Sequence, residues 1–308
     1  METVLAIDVG GTKLATAVVD TTGRLISEHR TPTPPDGDAE AIWSALVAGI
    51  EAALDGAGRP QLEAIGTGCG GPMHWPSGVV SPLTMRGWVE FPLRSRLQEQ
   101  FGVPVRLHND AVCVAAAEHW RGAGQGRANM LGMVVSTGVG GGLILGGQLH
   151  DGATGNGGHI GHVVVDPDGP PCRCGGHGCL EAVARGPAVA EWAVQHGWHD
   201  GEHTAAAVTV SARTGNEIAL AALTRAGRAV GIALASTVAL LDLEVVCIGG
   251  GLAQAGDLLF GPLAEAYAEH AGVHYARTPR VVSAALGQQA GLIGAAALVL
   301  RGEQYWHA

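Results

Sequence analysis

Three cysteines and three histidines fall within the 21 residues from His159 to Cys179, read H-I-G-H-V-V-V-D-P-D-G-P-P-C-R-C-G-G-H-G-C. His162, Cys172, Cys174 and Cys179 offer one nitrogen and three sulfurs, the donor set of a structural zinc site with all four positions closed and none left for water. A site of that kind shapes a loop rather than performing a reaction.

Other residues able to do chemistry sit at glycine-rich turns and strand ends. In Asp8-Val9-Gly10-Gly11-Thr12-Lys13 the two glycines are expected to take positive φ, bring backbone close to a ligand and leave N–H groups for phosphate oxygens. Thr12 and Lys13 add a hydroxyl and a cation. The spacing is not that of a P-loop, and the turn leads into a strand, which excludes Walker and Rossmann readings. Ser136-Thr137-Gly138-Val139-Gly140-Gly141-Gly142 repeats the device, with the turn over Thr137–Gly142. Gly249-Gly250-Gly251 follows a third apolar run and suits a nucleotide base or ribose lying against backbone. At His108-Asn109-Asp110 a strand gives way to a helix, so Asp110 is either an N-cap or a carboxylate presented beyond a strand end, where α/β sheets gather ligands.

The elements that must hold these groups follow from periodicity. Val4–Asp8 and Leu14–Asp20 form a hairpin, Arg24–His29 adds a strand, and Ala39–Leu54 is helical. Leu62–Gly68 is a strand ending at Gly70-Gly71-Pro72, a turn open to a polar ligand. Val103–Leu107 precedes an alanine-rich helix over Ala111–Trp120. Met130–Ser136, Leu143–Leu145 and Val245–Ile248 are strands. Helices are expected at Leu180–Ala184, Ala188–His196, Thr204–Thr214, Glu217–Leu241 and Ala290–Arg301. Two strand-turn-strand units, one per half, imply a duplicated α/β fold.

The 308 residues suffice for two lobes with a sizeable core. A formal charge of -10, with 18 basic residues among which Lys13 is the single lysine, argues against a nucleic-acid surface. The most apolar run, Val230–Leu241, falls short of the roughly 18 residues a membrane span needs and reads as a buried helix. Met1-Glu2-Thr3 runs straight into an apolar strand without a secretory leader, so the expected location is the cytoplasm. Cys69, Cys113 and Cys247 stand singly in apolar contexts, as small core residues of a reducing compartment.

Taken together, Asp8-x-Gly10-Gly11-Thr12-Lys13, Asn109-Asp110, Ser136 to Gly142, the His162 and three-cysteine loop, Glu181 and Gly249-Gly250-Gly251 resemble the ROK family of sugar kinases and repressors, over residues 4 to about 300. The resemblance implies an actin-like, hexokinase-type fold: an N-terminal lobe of residues 1–118 with 290–308, a C-terminal lobe of 119–289, and assembly as a homodimer or homotetramer. It implies Asp110 as the base that takes the proton of a sugar 6-hydroxyl attacking the γ-phosphorus of ATP. Asp8 would hold the Mg2+ shell. Gly10, Gly11, Thr12 and Lys13 would hold phosphates with Thr137 and Gly138, and Gly250 and Gly251 would lie near adenosine. Gly70, Gly71, Asn109, His159, His162 and Glu181 would face the sugar. His162 would bind zinc through one ring nitrogen and sugar through the other. His177 is placed in solvent.

Glucose-preferring members of the family usually read E-x-G-H where this chain has His159-Ile160-Gly161-His162. The H-x-G-H form resembles bacterial N-acetylmannosamine kinases, and an imidazole can donate to an acyl carbonyl where a carboxylate cannot. A glucokinase or an amino-deoxyglucose kinase remains the alternative. The family's repressors carry a DNA-binding domain ahead of the Asp-x-Gly-Gly segment, where seven residues stand here, so a sugar-sensing regulator is the disfavoured reading.

Overall fold

Apolar β-branched runs and alanine-rich helices alternate along the chain, and the computed structural model, which describes residues 2–35 and 37–307, shows how they pair. Met1, where the reading of the N-terminus begins, lies outside the described residues. In chain order the first strands are β1 (Thr3–Val9), β2 (Lys13–Asp20) and β3 (Leu25–Pro32), followed by helix α1 (Ala39–Gly56). Then come β4 (Leu62–Cys69), a small hairpin of β5 (Met73–His74) and β6 (Val79–Val80), α2 (Leu93–Phe101), β7 (Val105–Asn109) and α3 (Asp110–Arg121). The second half runs β8 (Met130–Val135), β9 (Val139–Leu145), β10 (Gln148–Leu149), α4 (Leu180–Ala184), α5 (Gly186–Gln195), α6 (Ala205–Arg213) and α7 (Glu217–Leu241). It closes with β11 (Val245–Gly249), α8 (Asp257–His270), β12 (Arg280–Ser283), α9 (Ala290–Leu300) and α10 (Gly302–Tyr305).

The two main sheets have the same plan. One is ordered β3-β2-β1-β4-β7 and the other β10-β9-β8-β11-β12. In the first, β1 is antiparallel to β2 and parallel to β4, which is parallel to β7; in the second, β11 is parallel to both β8 and β12. The repeated order bears out the duplicated, actin-like fold.

By internal contacts the chain divides into two units: Met1–Ala128 with Gly142–Gly158 and Ala285–Ala308, and Asn129–Gly141 with His159–Ala284. The C-terminal helix therefore groups with the first unit. Residues 142–158 also group with it, whereas a boundary drawn at 118/119 assigns them to the second lobe.

In the first unit, one face of the sheet buries Leu5, Ile7, Ile65 and Leu107 against Ile42, Leu46 and Ile50 of α1 and Leu93 and Leu97 of α2. The other face meets α9, where Val4, Ala6 and Ala17 pack on Leu292, Ala295 and Ala296. Small residues are needed there because backbone meets backbone: a Cβ on Gly66 would overlap the Ala295 carbonyl. In the second unit α7 is 25 residues long and apolar enough by length and composition to cross a membrane, yet 61% of its apolar 18-residue window is buried within the protein. Gly227 and Gly231 bring it against the carbonyls of Leu259 and Leu263 on α8, which is the packing of a core helix.

Two local expectations change. The second glycine run is not a turn over Thr137–Gly142: the turn ends at Gly138 and Gly140–Gly142 belong to β9. The bare strand lets α3 approach, since a Cβ on Gly142 would stand 2.9 Å from Val112 Cα. The strand expected at Val103–Leu107 runs two residues later and ends on Asn109.

Candidate active site

Parallel strands β1, β4 and β7 end at one level, with Val9 opposite Cys69 and Cys69 opposite Asn109. Asp8, Gly10, Gly70, Asn109 and Asp110 are therefore gathered at the carboxyl edge of one sheet, as the sequence reading requires.

Asn109, not Asp110, caps α3: its Oδ1 accepts the Ala111 N–H at 3.0 Å while its backbone stays extended. Asp110 is the first helical residue. Its Oδ1 also accepts the Ala111 N–H, at 2.8 Å, and its Oδ2 faces Gly70, where a Cβ would stand 3.8 Å away. Gly71 faces the Asn109 amide in the same way, at 3.5 Å. The two glycines thus lie beside the two side chains, where a Cβ at either position would meet them at ordinary contact distance. Burial raises the Asp110 carboxyl above its usual range, against the opposing pull of the Ala111 N–H.

Asp8 lies at the first turn of α9, so close that a Cβ on Gly291 would overlap its carboxylate. Burial, then the charge of Asp110, raises Asp8 to about 6, partly offset by Lys13 and Arg30. Arg30 was not singled out from sequence; it reaches this electrostatic field from β3, held by Glu28 and by Gln288 Oε1 at 2.7 Å.

The first glycine turn is built differently from expectation. Neither Gly10 nor Gly11 has positive φ, and the Gly10 N–H is spent on the Lys13 carbonyl at 3.0 Å. Space, not torsion, demands glycine at 11, because a Cβ would overlap the Thr84 side chain. Thr33 braces the turn from behind through its hydroxyl to the Gly10 carbonyl, at 2.7 Å. Thr12 is exposed and Lys13 half-buried at the tip.

In the second unit Thr137 is exposed at a tight turn closed by the Ser136 N–H to the Gly138 carbonyl, at 2.8 Å. Gly250 does have positive φ, 97°, and a Cβ there would overlap the Val135 carbonyl; a Cβ on Gly251 would lie 3.6 Å from Ser136 Oγ. The ends of the adjacent strands β8 and β11 thus bring Gly250 and Gly251 beside Val135 and Ser136, the residues that lead into Thr137 and Gly138. Glu181, in the first turn of α4, joins this group: its Oε2 accepts the Val139 N–H at 2.9 Å.

The metal-ligating set is assembled as the spacing implies. Ligand atoms of His162, Cys172, Cys174 and Cys179 all lie within 4.8 Å of one another. Cys174 and Cys179 sulfurs are 3.7 Å apart, far beyond disulfide length, and Cys172 Sγ is 3.9 Å from His162 Nδ1. Ligands about 2.1–2.3 Å from a tetrahedral zinc stand roughly 3.6–3.8 Å from each other, so the residues fit the ion. The Cys172 knuckle closes by the Cys172 N–H to the Gly176 carbonyl at 2.8 Å, and Gly175 and Gly178 take positive φ within it. His177 is exposed. His162 turns Nδ1 toward the sulfurs, which leaves Nε2 for another partner. His159 precedes the short helical turn Ile160–His162, and its ring lies parallel to that of His162, 6.1 Å between centroids and 7° between planes.

Sequence reasoning missed His108 and Asp151. His108 Nε2 meets Asp151 Oδ1 at 2.9 Å inside the first unit, next to Asn109, with Trp75 6.0 Å from the imidazole. A pair 43 residues apart leaves no local signature, and the strand Val105–Asn109 also carries Arg106 and Asn109, so an ionisable side chain in it does not single out His108.

A profile of the ROK family matches residues 4–302. The chain is 36% identical to the N-acetylmannosamine kinase of Citrobacter koseri, with 96% of this chain and 97% of that one covered. It is 33% identical to the glucokinase of Streptomyces coelicolor, with 96% of both covered. Among solved structures, the ROK hexokinase from Thermus thermophilus superposes with a TM-score of 0.85 at 40% identity, over 96% of each chain.

Proposed function

The chain belongs to the ROK family and is an ATP-dependent sugar kinase, and from that premise we propose that it phosphorylates the 6-hydroxyl of an N-acylhexosamine, N-acetylmannosamine before glucose. The observation that carries the choice of acceptor is the imidazole of His159 lying parallel to His162 where glucose-preferring relatives usually have a carboxylate. An imidazole N–H is suited to an acyl carbonyl, which a carboxylate would repel.

In this reading Asp110 accepts the proton of the attacking hydroxyl. Its Oδ1 is engaged by the helix, so Oδ2, on the side of Gly70, is the basic atom. Burial makes the carboxylate a stronger base than a solvated aspartate. Asn109 presents its amide nitrogen to the sugar beside Gly71, and His159, His162 and Glu181 supply the remaining hydrogen bonds. Gly10 to Lys13 and Thr137–Gly138 receive the ATP phosphates, and Gly250–Gly251 lie against adenosine. Positioning and charge stabilisation account for most of the rate in phosphoryl transfer. Magnesium, when bound, would neutralise phosphate charge, and Asp8 would be the carboxylate that holds its water shell. Zinc would be held by His162 Nδ1 and the three sulfurs, fixing the ring so that Nε2 meets a sugar hydroxyl.

A coupled assay over N-acetylmannosamine, glucose, mannose, N-acetylglucosamine and an amino-deoxyglucose tests the acceptor. The highest specificity constant is expected for N-acetylmannosamine; a higher one for glucose would overturn the reading of His159. Asp110→Asn should lower turnover by at least a thousandfold and leave sugar binding within a fewfold.

A further inference from the structure

His108 stands one position before the proposed sugar ligand Asn109, and its side chain is 1% exposed. Both ring nitrogens are committed. The Asn109 backbone N–H donates to Nδ1 at 2.8 Å, so the ring proton resides on Nε2 and is donated to Asp151 Oδ1 at 2.9 Å. Asp151 is itself 7% exposed and opens a loop that closes on itself through the Gly157 N–H to the Asp151 carbonyl, at 2.8 Å. Gly155 of that loop lies against the root of the Trp75 side chain, with no room for a Cβ, and the Trp75 indole in turn packs on His108. The loop, the indole and the imidazole thus form one packed block directly behind Asn109.

A carboxylate buried this deeply needs a donor, and an imidazole accepting a backbone N–H must keep its proton on the far nitrogen. Asp151 therefore fixes the ring, and the ring fixes the peptide that carries Asn109. Asn109 Oδ1 is already used to cap α3, so the direction of its amide nitrogen depends on that peptide being held. We propose that His108 and Asp151 are positioning residues for the acceptor sugar, orienting Asn109 through its backbone N–H without touching the substrate. The inference rests on the reading of Asn109 as a sugar ligand.

The test reads sugar binding by titration calorimetry in the absence of ATP, with N-acetylmannosamine and glucose, so it does not depend on turnover. Asp151→Ala is expected to weaken sugar binding about tenfold while the KM for ATP stays within twofold. Asp151→Asn keeps an oxygen that accepts from Nε2 and should restore sugar affinity to within threefold of wild type. Should Asp151→Ala fail to fold, the double variant His108→Leu/Asp151→Ala removes both polar partners together and is expected to show the same tenfold loss. Unchanged sugar affinity in a folded variant, or equal weakening of sugar and ATP, would overturn the positioning role. Wild-type protein that binds neither sugar would instead overturn the acceptor reading, and this inference with it.

Discussion

Glu181 and Val139 are joined by a 2.9 Å hydrogen bond from the Val139 backbone N–H to Glu181 Oε2, which ties the proposed sugar ligand to the tight turn carrying Thr137 and Gly138. A Cβ on Gly138 would stand 3.0 Å from the same oxygen, so turn and carboxylate are in contact. One carboxylate oxygen thus serves the turn proposed to hold phosphate, and in the proposed reading the other meets the sugar.

That division of labour separates two substitutions. Glu181→Gln keeps an oxygen for the Val139 N–H and replaces the other with an amide donor, so the KM for sugar should rise about tenfold while that for ATP changes less than twofold. Glu181→Ala removes both contacts, and both constants should rise, with a loss of roughly 1–3 kcal/mol in stability from the abandoned N–H. Steady-state kinetics with each substrate varied would decide it; equal effects of the two variants on ATP would refute the bridging role.

Asp8 makes a prediction with a definite pH dependence. Its folded value of about 6 lies above the 3.8 of an unhindered aspartate, chiefly from burial and then from Asp110. Below pH 3.8 the group is protonated in both folded and unfolded chains and there is no cost. Between pH 3.8 and 6 the unfolded chain loses its proton first, so stability falls as pH rises, and above 6 the cost is complete, at most about 3 kcal/mol. Asp8→Asn should therefore be more stable than wild type by about 2 kcal/mol at pH 8 and indistinguishable from it near pH 4, while losing turnover. Urea unfolding at the two pH values, without nucleotide or magnesium, measures this; a difference independent of pH would show that burial of the charge is not its origin.

Much of this site could be read from the chain because its parts are local: an apolar strand, two glycines and a polar tip, or a strand end followed by Asn109-Asp110. The metal-ligating set was legible for the same reason, with four donors inside 18 residues. What stayed hidden is held by distance in sequence. Thr84 dictates glycine at 11, and Thr33 braces the same turn from another strand. Glu118, fully buried, accepts the backbone N–H groups of Ala123, Ala285 and Leu286, the last two more than 160 residues away. The strand β12 is four largely exposed or half-buried residues without an apolar alternation to announce it. The torsional reading of Gly10 and Gly11 failed because glycine can be required by a neighbour's side chain as well as by φ, and only the fold says which.

The loop proposed to hold zinc offers the last test, since its four candidate donors differ in access. Cys172 and Cys179 are buried, whereas Cys174 and His162 are exposed, so a chelator has an open side from which to strip the ion. In zinc-finger peptides such sites supply about 10–16 kcal/mol of binding free energy, and most of it would be lost with one sulfur. Purified protein should carry one zinc per chain, and Cys174→Ser should carry little or none. Because the loop leads from His162 through Cys179 directly into α4 and Glu181, metal loss releases two proposed sugar ligands but leaves Gly10 to Lys13 and Gly250 to Gly251 in place. The sugar KM should therefore rise at least tenfold and the ATP KM less than threefold, with activity returning on added zinc. Folded protein without metal and with full sugar affinity would overturn the assignment of these four residues.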